Sequence, residues 1–354
     1  MERLACVWRG DLLESIHYGS LAVVDSSGRL LAWAGDPEHR TFIRSAAKPF
    51  QALPLAVEGG IEEYDLSAEE LALVCASHGG EPKHVAAAAA LLRKGEFDES
   101  DLLCGTHTPF DERTAAELRQ SGERPTVLHN NCSGKHAGML LASRMLDFPP
   151  SDYTSPEHPL QRQILQTLAD FAAVDPGEIG VGIDGCGVPT FYLSLYRAAL
   201  AFARLAALAR AESDEGPLAR YGAGAREVFD AMTQHPDYVA GSWSMTTPLM
   251  ESFGGALLAK EGAEGFYAIA VEPALASVVA ERLGFDEQVA IGIALKIADG
   301  SMTRGRDSAV IHTLEQLGLQ VDTRKLAAYR ERRITNCAGT QVGRVGSDFE
   351  LVFP

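Results

Sequence analysis

The sequence is short of cysteine and of long apolar runs, and each shortage excludes a class of protein. Its 354 residues contain six cysteines at irregular spacing, unlike the dense frameworks of small secreted domains. No apolar stretch is long enough to span a bilayer, and the N-terminus lacks the basic and apolar regions of a signal peptide. We therefore expect a cytoplasmic protein whose cysteines are mostly reduced.

Positive charge is also scarce. There are 31 lysines and arginines against 48 acidic residues, which gives a formal net charge of −17. Such a chain is repelled by nucleic acids and by anionic membranes, so we expect neither as a partner and favour small-molecule chemistry. Lysine is the scarcer of the two basic residues, with seven lysines against 24 arginines.

The hydrophobic fraction of 46% is ample for a folded core. Strand-like apolar runs lie near both ends of the chain, and helical periodicity dominates between them. The alternating pattern of a parallel sheet is missing, and no nucleotide-binding glycine motif occurs in its proper setting. This predicts an α+β fold and one catalytic domain over residues 1–354, with an antiparallel sheet lobe from about 1–40 and 260–354 and a largely helical lobe from about 45–259.

Ser45 and Lys48 lie three residues apart in a predicted first helical turn. Residues i and i+3 share one face of a helix, so the lysine can reach the serine hydroxyl and, if neutral, accept its proton. This spacing predicts a nucleophile with its own base. Taken alone, the tetrapeptide is more typical of an ordinary helix start with a solvated lysine than of a nucleophile.

A second serine and a second lysine follow. Ser67 and Glu70 form the pattern of a capping box, which predicts a helix that ends near Ser77. Lys260 opens a Lys-Glu-Gly sequence before a predicted strand. The order S-x-x-K, serine, K-x-G is that of serine β-lactamases and penicillin-binding proteins. The chain departs from that pattern because it has no S-D-N motif and because Glu261 stands where those enzymes have threonine.

Cys132 and Cys186 lie in polar loops that contain glycine. Their thiolates are suited to bind Zn²⁺, and Lys135 can reach the same ion if its amine is neutral. Two distant cysteines are also typical of unrelated packing positions. Asp184 is suited to orient a metal ligand or to contact a substrate ammonium group, or it simply forms a turn.

Three further residues are candidates for substrate binding. Arg44 precedes the first serine and can hold a carboxylate through two hydrogen bonds, although an arginine in a first helical turn is often solvated. His78 and His136 are candidates to line the pocket, or each satisfies a local hydrogen bond.

Four motifs taken together resemble the asparaginase II family, the Rhizobium etli-type L-asparaginases. They are residues 44–51, 75–78, 129–136 and 182–187. The resemblance implies a serine β-lactamase-like or penicillin-binding-protein-like fold and a homodimer.

For the site, the same resemblance implies two serine–lysine pairs, one of Ser45 with Lys48 and one of Ser77 with Lys260. It also implies a zinc site built from three residues, which are Cys132, Lys135 and Cys186.

We therefore expect hydrolysis of L-asparagine to L-aspartate and ammonia through an acyl-serine. Ser45 would attack with Lys48 as its base, while Ser77 and Lys260 relay the proton to ammonia or position the water of the second step. Which serine carries the acyl group is left open. The alternatives are a β-lactamase-like or peptidase-like serine hydrolase, and a non-catalytic sensor that binds zinc or an amino acid.

Overall fold

The computed structural model describes residues 1–213, 215–284 and 289–354. Its strands are β1 (Glu2–Arg9), β2 (Leu12–Asp25), β3 (Leu30–Ala34), β4 (Arg40–Phe42), β5 (Gly180–Ile183), β6 (Pro189–Ser194), β7 (Leu257–Glu261), β8 (Phe266–Val271), β9 (Ile291–Ile297), β10 (Arg332–Thr335) and β11 (Gln341–Gly346).

The helices fall mainly between β4 and β7. They are α1 (Lys48–Val57), α2 (Gly60–Glu63), α3 (Ala68–Val74), α4 (Pro82–Lys94), α5 (Glu112–Ser121), α6 (Ser133–Met145), α7 (Pro159–Ala172), α8 (Leu195–Ala209), α9 (Gly222–Gln234), α10 (Pro236–Val239), α11 (Thr246–Ser252), α12 (Pro273–Leu283), α13 (Asp307–Gln316) and α14 (Thr323–Arg330).

The large sheet draws its strands from both ends of the chain. Its order is β10-β11-β1-β2-β9-β8-β7, and β3 pairs with the C-terminal half of β2. Every pairing in it is antiparallel. The predicted mixed fold with an antiparallel sheet from the two chain ends is therefore confirmed. The assignment to a single catalytic domain, the homodimer and the cytoplasmic location stay predictions.

A second, three-stranded sheet in the order β4-β6-β5 lies partly within the stretch predicted to be helical. Two glycines in β5 allow this sheet to form beside aromatic side chains. A Cβ at Gly182 would come within 3.0 Å of the Phe42 ring, and a Cβ at Gly180 would come equally close to Tyr192. The sequence reading did not predict this sheet, because β4 lies far along the chain from β5 and β6.

Helix α8 packs across β2, β8 and β9 and covers one face of the large sheet. Its length and apolarity, like those of every other helix in the described part of the chain, are too small for it to cross a membrane. The helix approaches β9 most closely at Gly292, where an added Cβ would overlap the carbonyl oxygen of Ala199. Such a close approach needs glycine on the strand and small residues on the helix.

We expect Gly292→Ala to lower the free energy of unfolding by about 1–3 kcal/mol, because the added methyl group overpacks this contact. Chemical denaturation measures the change. Gly346→Ala on β11 is the matched control, because its Cβ would meet only ordinary contacts at 3.6 and 3.9 Å. Equal stability of the two variants would contradict the close packing of α8 on β9.

Candidate active site

The first serine lies on a tight turn that leads into α1. Residues Arg44–Ala47 form a 3₁₀ helix, and Lys48 begins the α-helix with Pro49 directly after it. Proline is tolerated there because the first turn does not need its N–H. Arg44 has a φ of +51°, which is the left-handed region. A non-glycine residue held there stores strain, a feature common at functional sites.

Ser77 bridges two buried lysines. It lies in the loop that follows α3, after the Ser67 and Glu70 capping box that the sequence predicts. The Nζ of Lys48 donates to Ser77 Oγ at 3.0 Å, and the Nζ of Lys260 donates to the same oxygen at 2.7 Å. A continuous chain of polar groups, lysine to serine to lysine, therefore crosses from the helices to β7.

The two lysines are almost fully enclosed. Lys48 is 1% exposed and Lys260 is 0% exposed. Backbone carbonyls take part of their hydrogen bonds, since Lys48 also donates to Ala76 and Lys260 donates to Glu261. These contacts offset some of the cost of burying two amines.

Burial and, to a smaller extent, the neighbouring charge of Lys48 together lower the pKa of Lys260 to about 7, against the opposing effect of Glu261. An amine with this pKa is partly neutral near pH 7. Lys260 is therefore able to exchange a proton with the Ser77 hydroxyl under ordinary conditions.

Ser45 lies on the same cavity as Ser77, but its contacts differ. It is half-buried, and within residues 1–213, 215–284 and 289–354 neither its hydroxyl nor its backbone N–H makes a hydrogen bond. The amine of Lys48 is turned toward Ser77 instead of toward Ser45. The structure thus brings both predicted lysines to Ser77, and the predicted contact between Ser45 and Lys48 is not a hydrogen bond here.

The cavity has a volume of about 260 Å³. Its polar lining includes the two serines and Asn131, and its apolar lining includes Phe110, Trp243 and Met302. The Phe110 and Trp243 rings contact each other with centroids 5.1 Å apart. Such a mixture of a wide apolar wall and a few convergent polar groups is typical of small-molecule sites.

Arg44 and Asp184 form a bidentate ion pair next to this cavity. The Nη2 of Arg44 donates to Asp184 Oδ1 at 2.8 Å, and its Nε donates to Oδ2 at 3.1 Å. The hydrogen bond with Asp184 raises the pKa of Arg44. The structure therefore brings these two candidate substrate-binding residues into direct contact with each other.

Cys132, Lys135 and Cys186 also come together. Lys135 donates from Nζ to Cys186 Sγ at 2.9 Å, and all three side chains are buried. A hydrogen bond from Cys186 holds the pKa of Cys132 well below its ordinary value, and the charges of Lys48 and Lys135 act in the same direction. The surroundings therefore favour the ionised form of Cys132 over that of Cys186.

The two cysteines also shift the pKa of the Lys135 amine. Burial lowers the pKa of Lys135, but the nearby Cys132 and Cys186 together outweigh burial, so its pKa lies above the ordinary value. In the described part of the chain, no group of three or more His, Cys, Asp or Glu side chains has the arrangement of a metal site.

The two candidate histidines are fully buried and are not among the described residues that line the cavity. The backbone N–H of Gly80 donates to His78 Nδ1 at 3.1 Å, and His78 Nε2 lies 2.9 Å from Ser133 Oγ. Burial holds the pKa of His78 well below its usual value, so the ring is neutral. His136 Nδ1 lies 2.7 Å from the hydroxyl of Tyr153, and burial lowers its pKa as well. A contact of either ring with a substrate stays a prediction.

Several residues of the cavity lining, among them Asn131, Phe110, Trp243 and Met302, were not singled out by the sequence reading. Asn131 lies inside the predicted polar loop but was not singled out. Phe110 and Trp243 lie in stretches whose local pattern carries no functional signal, and they meet only through the tertiary structure. The rarity of tryptophan, with three in the chain, was the one available hint.

The family described as L-asparaginase II matches this chain over residues 5–347. No curated protein matches it significantly. Among solved structures, the native form of a protein named Mglu aligns at 16% identity with a TM-score of 0.41, over 86% of this chain and 64% of that one. The tris and glutamate form of Mglu aligns at 15% identity with a TM-score of 0.43, over 86% of this chain and 60% of that one. The chain therefore spans less than two thirds of the length of these two structures.

Proposed function

The chain belongs to the L-asparaginase II family, and on that basis we propose that it hydrolyses L-asparagine to L-aspartate and ammonia through an acyl-serine on a serine β-lactamase-like fold. One observation carries this proposal. The buried chain of Lys48, Ser77 and Lys260 ends on a cavity that also holds Ser45. Amide hydrolysis needs a nucleophile, a base and an acid, and this arrangement offers all three.

In the first step, Ser45 attacks the side-chain amide carbon of the substrate. Its hydroxyl has no competing hydrogen bond in the described part of the chain, and Lys48 follows it by three residues on the same turn. Lys48 takes the hydroxyl proton after a small movement away from Ser77. Such contacts often tighten only in the presence of substrate. The N–H of Ser45 makes no hydrogen bond within the described residues, so it is available to stabilise the oxyanion.

Departing ammonia needs a proton, and Ser77 is suited to supply it. Once Lys260 is neutral, Ser77 can accept a hydrogen bond from Lys48 and donate one to Lys260, so a proton can pass between the two amines through the hydroxyl. In the second step, a water molecule hydrolyses the acyl ester, and the same chain takes the proton of that water. Ser45 is then restored.

The charged ends of asparagine call for charged partners. Arg44 uses its Nε and Nη2 atoms for Asp184, and its remaining N–H groups can hold the α-carboxylate. Asp184 can hold the α-ammonium group. Because the two side chains already bind each other, their positions are set before the substrate arrives, which reduces the entropy lost on binding.

The direct test is ammonia release from L-asparagine, from L-glutamine and from buffer alone, using the intact chain. Release from asparagine above the buffer level supports the proposal. Covalent labelling by a fluorescent penicillin without ammonia release would favour a β-lactamase-like or peptidase-like enzyme. Reversible binding of asparagine without turnover would favour a sensor.

We expect kcat/KM for asparagine to rise with pH through about 7, because Lys260 must lose its proton to join the relay. Glu261→Gln should move this rise to lower pH, since the carboxylate of Glu261 raises the pKa of Lys260. Rate profiles between pH 5 and 9 measure both effects. Glu264→Gln, an exposed position in the same hairpin, is the control. A profile that is flat through neutrality would refute the role of Lys260.

We also propose that Cys132, Lys135 and Cys186 hold a zinc ion. The donor set fits this metal, because the amine of Lys135 and the sulfur of Cys132 both lie within hydrogen-bond reach of the buried Cys186 sulfur. Zinc would displace the protons of Lys135 and Cys186, as it does with other thiol and amine ligands. Bound there, it would supply a positive charge that ties the Cys186 loop to the start of α6.

Metal analysis tests this site. We expect about one zinc per chain for protein purified without chelator, and loss of most of it in Cys132→Ser. Cys337→Ser is the control, because this exposed cysteine lies apart from the cluster. Absence of zinc from the unmodified protein, even after incubation with zinc and dialysis, would remove the metal from the proposal.

A further inference from the structure

One wall of the cavity is apolar, and the proposed release of ammonia assigns no role to it. Phe110, Trp243 and Met302 present apolar surface to the same space as the two serines. Phe110 is 43% exposed and Met302 is 37% exposed, so part of this surface is open to an incoming molecule. L-Asparagine carries a charged α-ammonium group, a charged α-carboxylate and a polar side-chain amide. It has no large apolar group whose burial against this wall would favour binding.

The wall is held in place by its surroundings. Phe110 stacks on His107 with centroids 4.9 Å apart and planes inclined by 19°. Ser242, next to Trp243, donates from its N–H to Glu81 and from its hydroxyl to Asp111. A surface fixed in this way loses little entropy when a ligand binds to it.

The cavity also has room for more than the aspartyl group. A benzene ring occupies an engineered apolar cavity of about 150 Å³ in another protein. With a ring in place, about 110 Å³ of this cavity would remain for the aspartyl part.

We propose that Phe110, Trp243 and Met302 form a subsite for an apolar group on the leaving amine, so that the enzyme hydrolyses β-aspartyl amides of alkyl and aryl amines. This inference rests on the proposed function. The serine oxygen bonds to the amide carbon, the carbon–nitrogen bond breaks, and the amine leaves with a proton from the lysine–serine chain. Water then cleaves the ester to release L-aspartate.

The test compares three substrates that differ only in the leaving amine: L-asparagine, its β-methylamide and its β-anilide. Ammonia, methylamine and aniline are measured for the unmodified enzyme and for Phe110→Ala. We expect Phe110→Ala to lower kcat/KM for the anilide at least about tenfold, as the loss of an apolar contact does in other specificity pockets. For L-asparagine the loss in kcat/KM should be several-fold smaller than for the anilide, because this substrate presents no apolar group to the ring.

Two further variants complete the design. Phe110→Leu keeps an apolar side chain and should retain most of the anilide activity. Phe353→Ala removes a ring of similar exposure, 38%, that lies outside the cavity lining. It should leave kcat/KM unchanged for both L-asparagine and the anilide.

The outcomes separate the two proposals. Failure of the unmodified enzyme to release ammonia from asparagine overturns the proposed function. Ammonia release without any cleavage of the anilide overturns the subsite alone. Equal losses for both substrates in Phe110→Ala also overturn the subsite, because the ring would then act only as a cover that excludes water.

Discussion

Ser45→Ala should abolish ammonia release from L-asparagine, with kcat falling by at least about 10³-fold. The reason is chemical: alanine has no oxygen to form the acyl ester, and the rest of the site retains only the smaller rate enhancement due to binding and the oxyanion contacts. Ser45 is half-buried on the cavity, so loss of its hydroxyl should leave the fold intact. Thermal unfolding checks the fold, and an ammonia assay measures the rate.

Ser77→Ala is the informative partner of this variant. It keeps the proposed nucleophile but breaks the contact between the two lysines, so it should slow turnover and still form an acyl-enzyme. Intact mass and peptide mapping after rapid quenching locate the aspartyl group. Near-normal ammonia release from Ser45→Ala, or an aspartyl ester found on Ser77, would transfer the role of nucleophile to Ser77.

Lys48→Met is expected to have the second largest effect, a loss of about 10²–10⁴-fold in kcat. Methionine fills a similar space but cannot accept a proton. The variant also removes the donor to Ser77 at 3.0 Å and the contact with the carbonyl of Ala76. Initial rates of ammonia release measure the change.

Lys325→Met is the matched control, because that lysine is exposed and its amine forms an ion pair with Glu251 at the surface. It should retain full activity. A Lys48→Met enzyme that unfolds at the normal temperature and keeps more than about a fifth of the normal rate would exclude Lys48 as the base.

Local pattern was enough to predict much of the fold. Apolar runs near both chain ends predicted the strands of the large sheet, and Ser67 with Glu70 predicted the start of α3. The second sheet was not predicted, because β4 lies far along the chain from β5 and β6 and pairing over that distance leaves no local pattern. The rings of Phe42 in β4 and Tyr192 in β6 contact each other beside Gly180 and Gly182.

The candidate site was predictable as a set of residues but not as a set of contacts. Motif order singled out Ser45, Lys48, Ser77 and Lys260, and the structure places both lysines on Ser77. Spacing along a helix indicates which groups share a face, but it does not say which neighbour from another element will compete for an amine. Here the loop after α3 supplies the competing acceptors, and the amine of Lys48 donates to Ser77 in that loop.

The sequence by itself determined the inventory of this protein: a scarce set of lysines, two serines in motif order, and a family membership that extends from residue 5 to residue 347. Only the tertiary structure decided the burial, the contacts and the pKa values of those groups. The pKa of Lys260 falls to about 7 because packing removes water from it and brings Lys48 close. The ion pair of Arg44 and Asp184 and the apolar wall of Phe110 and Trp243 likewise join residues far apart in the chain, since burial and contact depend on the whole fold.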